Sequence, residues 1–587
     1  MTSFHPALIL IVAALLVYIL PGRLRQIAFI GGPLLAILAV LTIETGTVMN
    51  YTFIGYDLIV LKADATALVF ALIFALVAFL GAMYALHLQK PGEQIVALLY
   101  AGGSLGVTFA GDWLTLFFFW ELMSISSVFL IWYRGRTESL KAGFRYLIVH
   151  FVGGNSMLFG VLLLIGSGNP LVGSLTGVDS PAFWLVLLGV AINAAIPPLH
   201  AWLTDAYPEG TVTGSVFLSA FTTKVAVYVL VRAFPGAQLL LYAGVIMAIY
   251  GIIFAVLEND IRRLLSYHII SQVGYMVAAV GIGTELALNG SIAHAFSHIL
   301  YKSLLFMGAG AVIYATGREK LTELGGLARA MPLTAITFAI AALSIAGAPL
   351  FNGFISKSII VTAAGVEGLK MTDFLLTLAS VGTFLSIGLK LFYYMFFGED
   401  RGLKPIQLPF NMSLAMVLGA FLCTLYGIYP KLLYDWLPFA MDYNPFTLDH
   451  IVNYTQLLLA TAVAFWLFMS RLEPQANISL DFDWLYRKPL AYVFDTFVAT
   501  LKQIKVWLDA SGSNVLGTTV PYFANPFMAP LKMLWAVSPT AARGEREAEV
   551  DGIILYSADR YRFPVGISVL LAAVFLGLIA VYTLALQ

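Results

Sequence analysis

About sixteen apolar stretches long enough to cross a bilayer recur along this chain, and no other feature limits its possible folds as severely. A bilayer offers backbone N–H and C=O groups no water, so such stretches close their hydrogen bonds internally as helices. The expected spans cover residues 6–20, 27–43, 65–86, 94–110, 113–133, 144–165, 183–204, 213–231, 237–257, 266–281, 286–313, 333–363, 374–397, 414–429, 452–470 and 564–586. The predicted fold class is all-α, a polytopic membrane protein. A composition 60% hydrophobic and 11% charged belongs to the same class. Residues 51–60 are β-rich and Gly-broken and read as a short hairpin outside the membrane. The first apolar run follows Met-Thr-Ser-Phe-His directly, without the basic stretch of a cleavable signal peptide.

Composition also excludes whole classes of function. Formal net charge is zero, so no bulk basic surface points to nucleic acid. Cys423 is the single cysteine. That rules out disulfides within the chain, a Cys-based zinc site and an iron–sulfur cluster held by this chain alone. No HExxH is present, and neither a metal nor a cofactor is expected. The pairs Gly102-Gly103 and Gly308-Ala309-Gly310 lie inside apolar runs, where they read as close helix packing rather than phosphate loops.

Loop charges predict orientation. Loops after odd-numbered spans carry Arg23, Arg25, Lys90, Arg134, Arg136, Lys141, Arg262, Arg263, Arg318, Lys320, Arg329, Arg401 and Lys404. Loops after even-numbered spans carry Lys62, Arg232, Lys370 and Lys431. The expectation is an integral protein of a prokaryotic inner membrane, odd loops in the cytoplasm and both termini outside. Span seven contains Pro197-Pro198, and span twelve contains Gly347-Ala348-Pro349 followed by Asn352-Gly353. Proline removes a helical donor, and freed backbone is tolerated only within protein or beside water. Breaks five spans apart point to two inverted repeats, spans four to eight and nine to thirteen. The expected organisation is three N-terminal helices (1–93), a first repeat (94–236), a second repeat (237–400), helices fourteen and fifteen (401–470), a cytoplasmic amphipathic segment (471–563) and a terminal span (564–587). In that segment Phe494, Phe497, Val498, Leu501, Ile504 and Leu508 form one apolar face.

Charged and titratable residues inside the spans are the candidate functional groups. His294, His298 and Lys302 stand at i, i+4 and i+8, along one helix face. A lysine near mid-bilayer costs about 2.5–3.5 kcal/mol on insertion scales. Histidine changes charge near neutral pH, so imidazoles stepped above an ammonium suit a proton relay. Glu121, Lys224, Lys357 and Lys390 extend the row through spans five, eight, twelve and thirteen. Singly, each also reads as a structural ion pair or a snorkelling lysine. As a row at membrane depth they suit proton storage and transfer, each group biased by the charge of the next.

The chain resembles the antiporter-like subunits shared by Mrp-type multisubunit cation/proton antiporters, respiratory complex I and membrane-bound hydrogenases. The resemblance spans residues 94–397. FFFWE stands at 117–121, PLHxWLxDA at 198–206 and TKxxxY at 223–228. DI(K/R)RLLxYxxISQxGYM stands at 260–276, HAFxHxxxKxLLF at 294–306 and GxPxxxGFxSK at 347–357. It implies linked half-channels, with Glu121 and Lys224 in the first half and Lys302 and Lys357 in the second. It implies a proton-translocating subunit exchanging protons for Na+ or another monovalent cation, among other membrane subunits in a lipid bilayer. The alternative it leaves open is the proton-pumping arm of a complex I-like NADH:quinone oxidoreductase or membrane-bound hydrogenase, part of an enzyme without redox chemistry of its own. One position departs from the pattern. Where the family usually has a lysine, five residues before the second proline of the break, this chain has Asn193. A scaffold with a silent channel therefore stands as a third reading.

Overall fold

The computed structural model describes residues 4–524 apart from 54, 178–179 and 477–479. Helices dominate: α1 Pro6–Ile19, α2 Gly22–Thr42, α3 Ala65–Tyr84, α4 Pro91–Phe109, α5 Trp113–Trp132, α6 Thr137–Gly166, α7 Pro181–Asn193 and α8 Ala201–Ala206. There follow α9 Gly214–Ala220, α10 Thr222–Ala233, α11 Gln238–Leu257, α12 Ile261–Ile282, α13 Glu285–Thr316, α14 Pro332–Ala346 and α15 Asn352–Val366. The last are α16 Lys370–Phe396, α17 Phe410–Ile428, α18 Leu448–Leu467 and α19 Ala491–Ala524. Among the described residues, 11 helices are long and apolar enough to cross a membrane. Three shorter apolar helices, α1, α7 and α14, accompany them. Each of the expected stretches between 6 and 470 coincides with one of the helices named above or with a broken pair of them. The stretch expected at 564–586 lies outside the described residues.

The hairpin is present. Strands β1, Val48–Phe53, and β2, Tyr56–Lys62, pair antiparallel. Asp112, which caps α5 through the Thr115 amide, also accepts from the Ile59 amide at 2.7 Å and ties the hairpin to the bundle.

Helix α13 is the axis of the first compact unit, residues 1–483. It packs against α3, α9, α12, α14, α15 and α17, and 89% of its most apolar window is buried. A helix apolar on every side belongs inside a bundle. It ends at Gly317, whose φ of +71° gives the left-handed turn that closes a helix. The glycine clusters bring neighbouring helices close. A methyl group on Gly103 would stand 2.8 Å from the Met123 nitrogen, and one on Gly308 would stand 2.7 Å from the Phe338 ring. Outward faces stay apolar, with Ile148, Phe151 and Phe159 of α6 exposed.

The second unit begins at Trp484. Its helix α19 carries the predicted apolar positions Phe497, Leu501, Ile504 and Leu508, all exposed. The helix continues through Gly512, Gly517 and Pro521 to Ala524. By propensity those three residues favour an interruption, but propensity is a weak prior and is overridden here.

Candidate functional site

Proline chemistry creates the two breaks. Helix α7 stops at Asn193, and the chain turns through Ala195 at φ +58°. The Ile196 amide then bonds back to the Ala191 carbonyl at 3.1 Å, just before the cis Pro197–Pro198 bond. Helix α14 ends the same way. Gly347 turns at φ +78°, and the Ala348 amide bonds back to the Leu343 carbonyl at 3.0 Å, just before Pro349. Both closures are six-residue Schellman bonds with the left-handed residue two before the proline.

At each break a side chain bonds a carbonyl of the helix that ends there. Ile345 would normally accept from the amide four residues on, but that residue is Pro349. Lys357 Nζ takes the carbonyl instead, at 2.9 Å, and also reaches Ser380 Oγ at 3.2 Å. In the first break the Trp202 indole takes the Ile192 carbonyl at 2.8 Å. Span eight is also interrupted, at Phe221 between α9 and α10, where no proline or glycine signals it. Lys224 Nζ sits there on the Ser219 carbonyl at 2.5 Å. Lys390, in a π-helical stretch of α16, reaches the Val256 carbonyl in the last turn of α11 at 2.5 Å. Three lysines thus rest on carbonyls at helix ends or kinks, where the helix dipole favours a cation.

Lys302 differs. It is fully buried, and Nζ has no hydrogen-bond partner among the described residues. Its nearest aromatic face is Phe306, 5.8 Å away. His298, one turn earlier, is buried, and neither ring nitrogen has a hydrogen-bond partner among the described residues. His294 Nδ1 meets Ser356 Oγ at 3.1 Å, and the two imidazoles lie 6.3 Å apart. His298 is within electrostatic reach of Lys224, Lys302, His294 and Lys357 together. The structure therefore gathers Lys224 from the first expected repeat and Lys302, Lys357 and His294 from the second around His298. Lys390 stands apart, at the end of α11.

Glu121 lies half-buried on α5 against the bare backbone of Gly154 in α6, where a methyl group would overlap Oε1. That oxygen has no hydrogen-bond partner among the described residues. Asn193 is buried at the end of α7, its Nδ2 also unbonded. Near them His150 stacks on Tyr146 at 3.9 Å and meets the Trp202 ring at 4.5 Å. Sequence reasoning passes over His150, as it does His268. The latter is buried on α12 with Nε2 2.7 Å from Ser386 Oγ, within reach of Lys302 and Lys357. A histidine inside an apolar run is the available signal for both. Among the described residues no cluster of three or more His, Cys, Asp or Glu is placed to hold a metal ion.

At one end of the bundle Lys90, Glu93, Arg134, Arg136, Arg262 and Glu319 line a cavity of about 480 Å³. Arg134 and Arg136 both pair with Glu319, the latter at 3.2 Å. Burial pushes the Glu319 carboxyl up, but Arg262, Arg134 and Arg136 outweigh it and hold the group below its ordinary value. The four basic residues come from loops after odd-numbered spans.

A family model described as "NADH:quinone oxidoreductase/Mrp antiporter, TM" matches residues 110–386. An uncharacterized protein of Methanocaldococcus jannaschii is 32% identical, over 56% of this chain and 73% of its own. A Na(+)/H(+) antiporter subunit of Alkalihalophilus pseudofirmus is 34% identical, over 51% of this chain and 64% of its own. A NADH-quinone oxidoreductase subunit of Desulforudis audaxviator is 34% identical, over 52% and 65%. The chain thus spans slightly under two thirds of these last two relatives. In fold it resembles a chain of the Mrp complex from Dietzia sp. DQ12-45-1b, with TM-score 0.67 and 24% identity over 74% of this chain and 95% of that one. It also resembles a chain of an archaeal membrane-bound sulfane sulfur reductase, with TM-score 0.65 and 24% identity over 78% and 98%.

Proposed function

The chain belongs to the NADH:quinone oxidoreductase/Mrp antiporter transmembrane family, and on that premise we propose that it is the proton-translocating subunit of a multisubunit monovalent cation/proton antiporter, with Na+ the expected cation. The observation that carries this reading is the buried file of Lys224, His298, Lys302 and Lys357, drawn from both halves of the bundle. Groups that take up and release protons, held within reach of one another in a low-dielectric core, pass charge stepwise. Glu121 supplies protons to the file from the first half, and His294 and Lys390 extend it in the second.

The matched closures at Pro197 and Pro349 support reading 94–236 and 237–400 as inverted repeats with transport at their breaks. The common cavity lined by Lys90, Arg134, Arg136 and Arg262 supports placing the odd loops together on the cytoplasmic side of a prokaryotic inner membrane, with both termini outside. The exposed apolar positions of α19 meet lipid or another membrane subunit of the complex.

A second reading rests on the equal identity to the NADH-quinone oxidoreductase relative. There the same file works as the pumping arm of a redox complex. Reconstitution of the purified complex in vesicles with a pH-sensitive dye separates the two. A sodium pulse that moves protons without any redox substrate supports the antiporter. Proton movement only with an electron donor and acceptor supports the pump. Movement in neither case overturns both.

A further inference from the structure

A carboxylate from outside both repeats reaches into the first break. Asp481 lies in the chain between α18 and α19, and its side chain is completely buried. His200 Nε2 stands 3.2 Å from Oδ1 and 3.3 Å from Oδ2. The Tyr267 hydroxyl donates to Oδ2 at 2.6 Å, and the Tyr250 hydroxyl donates to Oδ1. The Phe482 amide also donates to Oδ1, at 2.6 Å. His200 immediately follows the Pro197-Pro198 break, whereas Tyr250 and Tyr267 sit on α11 and α12. One carboxylate therefore joins the break in the first half to the first two helices of the second.

We propose that Asp481 is a positioning residue that holds the His200 ring across this boundary, so that Nδ1 is the atom exchanging a proton. The inference rests on the proton-translocating reading above. An ionised carboxylate only accepts hydrogen bonds, so its imidazole partner presents N–H at Nε2. The neutral ring then carries its lone pair at Nδ1, which is buried and has no hydrogen-bond partner among the described residues. When Nδ1 gains a proton, the Asp481 charge stabilises the imidazolium, as a carboxylate behind a ligating or catalytic histidine does. Burial pushes the Asp481 carboxyl up, but the bonds from His200, Tyr250 and Tyr267 hold it well below its ordinary range. Among the described residues Arg263 also faces the cluster, 6.0 Å over the Tyr267 ring and 3.3 Å from Glu258, which lies within electrostatic reach of Lys390. Of these charges Asp481 is the one in direct contact with His200.

The test compares wild type, Asp481→Asn, His200→Gln and the double variant in the purified, reconstituted complex. Readouts are co-purification of partner subunits, proton flux per assembled complex and its pH profile. Asn keeps an acceptor for the ring and the tyrosines and removes the charge. The expected result is normal assembly, flux lowered about 10-fold or more in each single variant, and no further loss in the double. The pH profile of the Asp481→Asn variant changes in shape and not only in height, because the charge beside the ring is gone. Wild-type flux in Asp481→Asn, losses that multiply in the double variant, or a profile of unchanged shape overturns the proposal. So does an Asp481→Asn chain that no longer assembles, which makes the contact an anchor only. A wild-type complex that moves no protons overturns the proposed function itself, and this inference with it.

Discussion

Replacing Lys302 by methionine separates a working lysine from a structural one. Its ammonium is fully buried without a hydrogen-bond partner among the described residues, with Phe306 as its nearest aromatic face. Methionine fills nearly the same shape. Losing the lysine removes a group whose insertion costs about 2.5–3.5 kcal/mol near mid-bilayer, and it leaves no protein acceptor unsatisfied. Stability is therefore expected to stay level or rise, by up to about 3 kcal/mol. Lys357→Met removes a buried lysine too, but it also strands the Ile345 carbonyl, which Pro349 cannot serve, at a cost of about 1–3 kcal/mol that offsets the gain. The Lys302 variant is thus expected to outlast the Lys357 variant on heating in lipid nanodiscs, while both lose about 100-fold of the proton flux, a typical contribution from one positioned proton carrier. A Lys302→Met complex that melts well below wild type yet transports normally would refute the reasoning and make the lysine a packing element.

Glu121→Gln is expected to assemble normally and lose most transport; Gly154→Ala, whose methyl group would push on Oε1, should partly copy that loss, and normal flux in both would remove Glu121 from the path. The Glu319 carboxyl is held below its ordinary value, so the stability it adds is present above about pH 4.5 and fades as pH falls through the lower folded value. The difference in melting temperature between wild type and Glu319→Gln should therefore shrink in acid, and a difference that grows there contradicts the ion-pair cluster. On a Cys423→Ser background, Glu138→Cys is exposed at the start of α6 and should resist an impermeant thiol reagent added outside intact cells. Ready labelling from outside reverses the topology.

The spans were legible because bilayer thickness sets a run length that soluble helices rarely reach. The breaks at Pro197 and Pro349 were legible because proline cannot donate to the helix ladder. The interruption at Phe221 was not, since Ala-Phe-Thr carries no breaker. The buried lysines stood out individually in the sequence. What each one touches did not, because the partners are backbone carbonyls at helix ends: Ser219, Ile345 and Val256. Asp481 shows the limit most clearly. It lies 281 residues from His200, in the segment read as cytoplasmic and amphipathic, so only the tertiary fold brings the two together. His268 and Ser386 meet across helices in the same way.

Proton flux through the reconstituted complex carrying Lys224→Ala tests the central claim most directly. The proposed path has Asn193 where the resemblance expects a lysine, and it runs from Glu121 through Lys224 to His298 and Lys302. The predicted result is an assembled complex whose flux falls as far as that of Glu121→Gln. Normal flux in Lys224→Ala, beside a dead Lys302→Met, would contradict the account: protons would then cross through the second half alone.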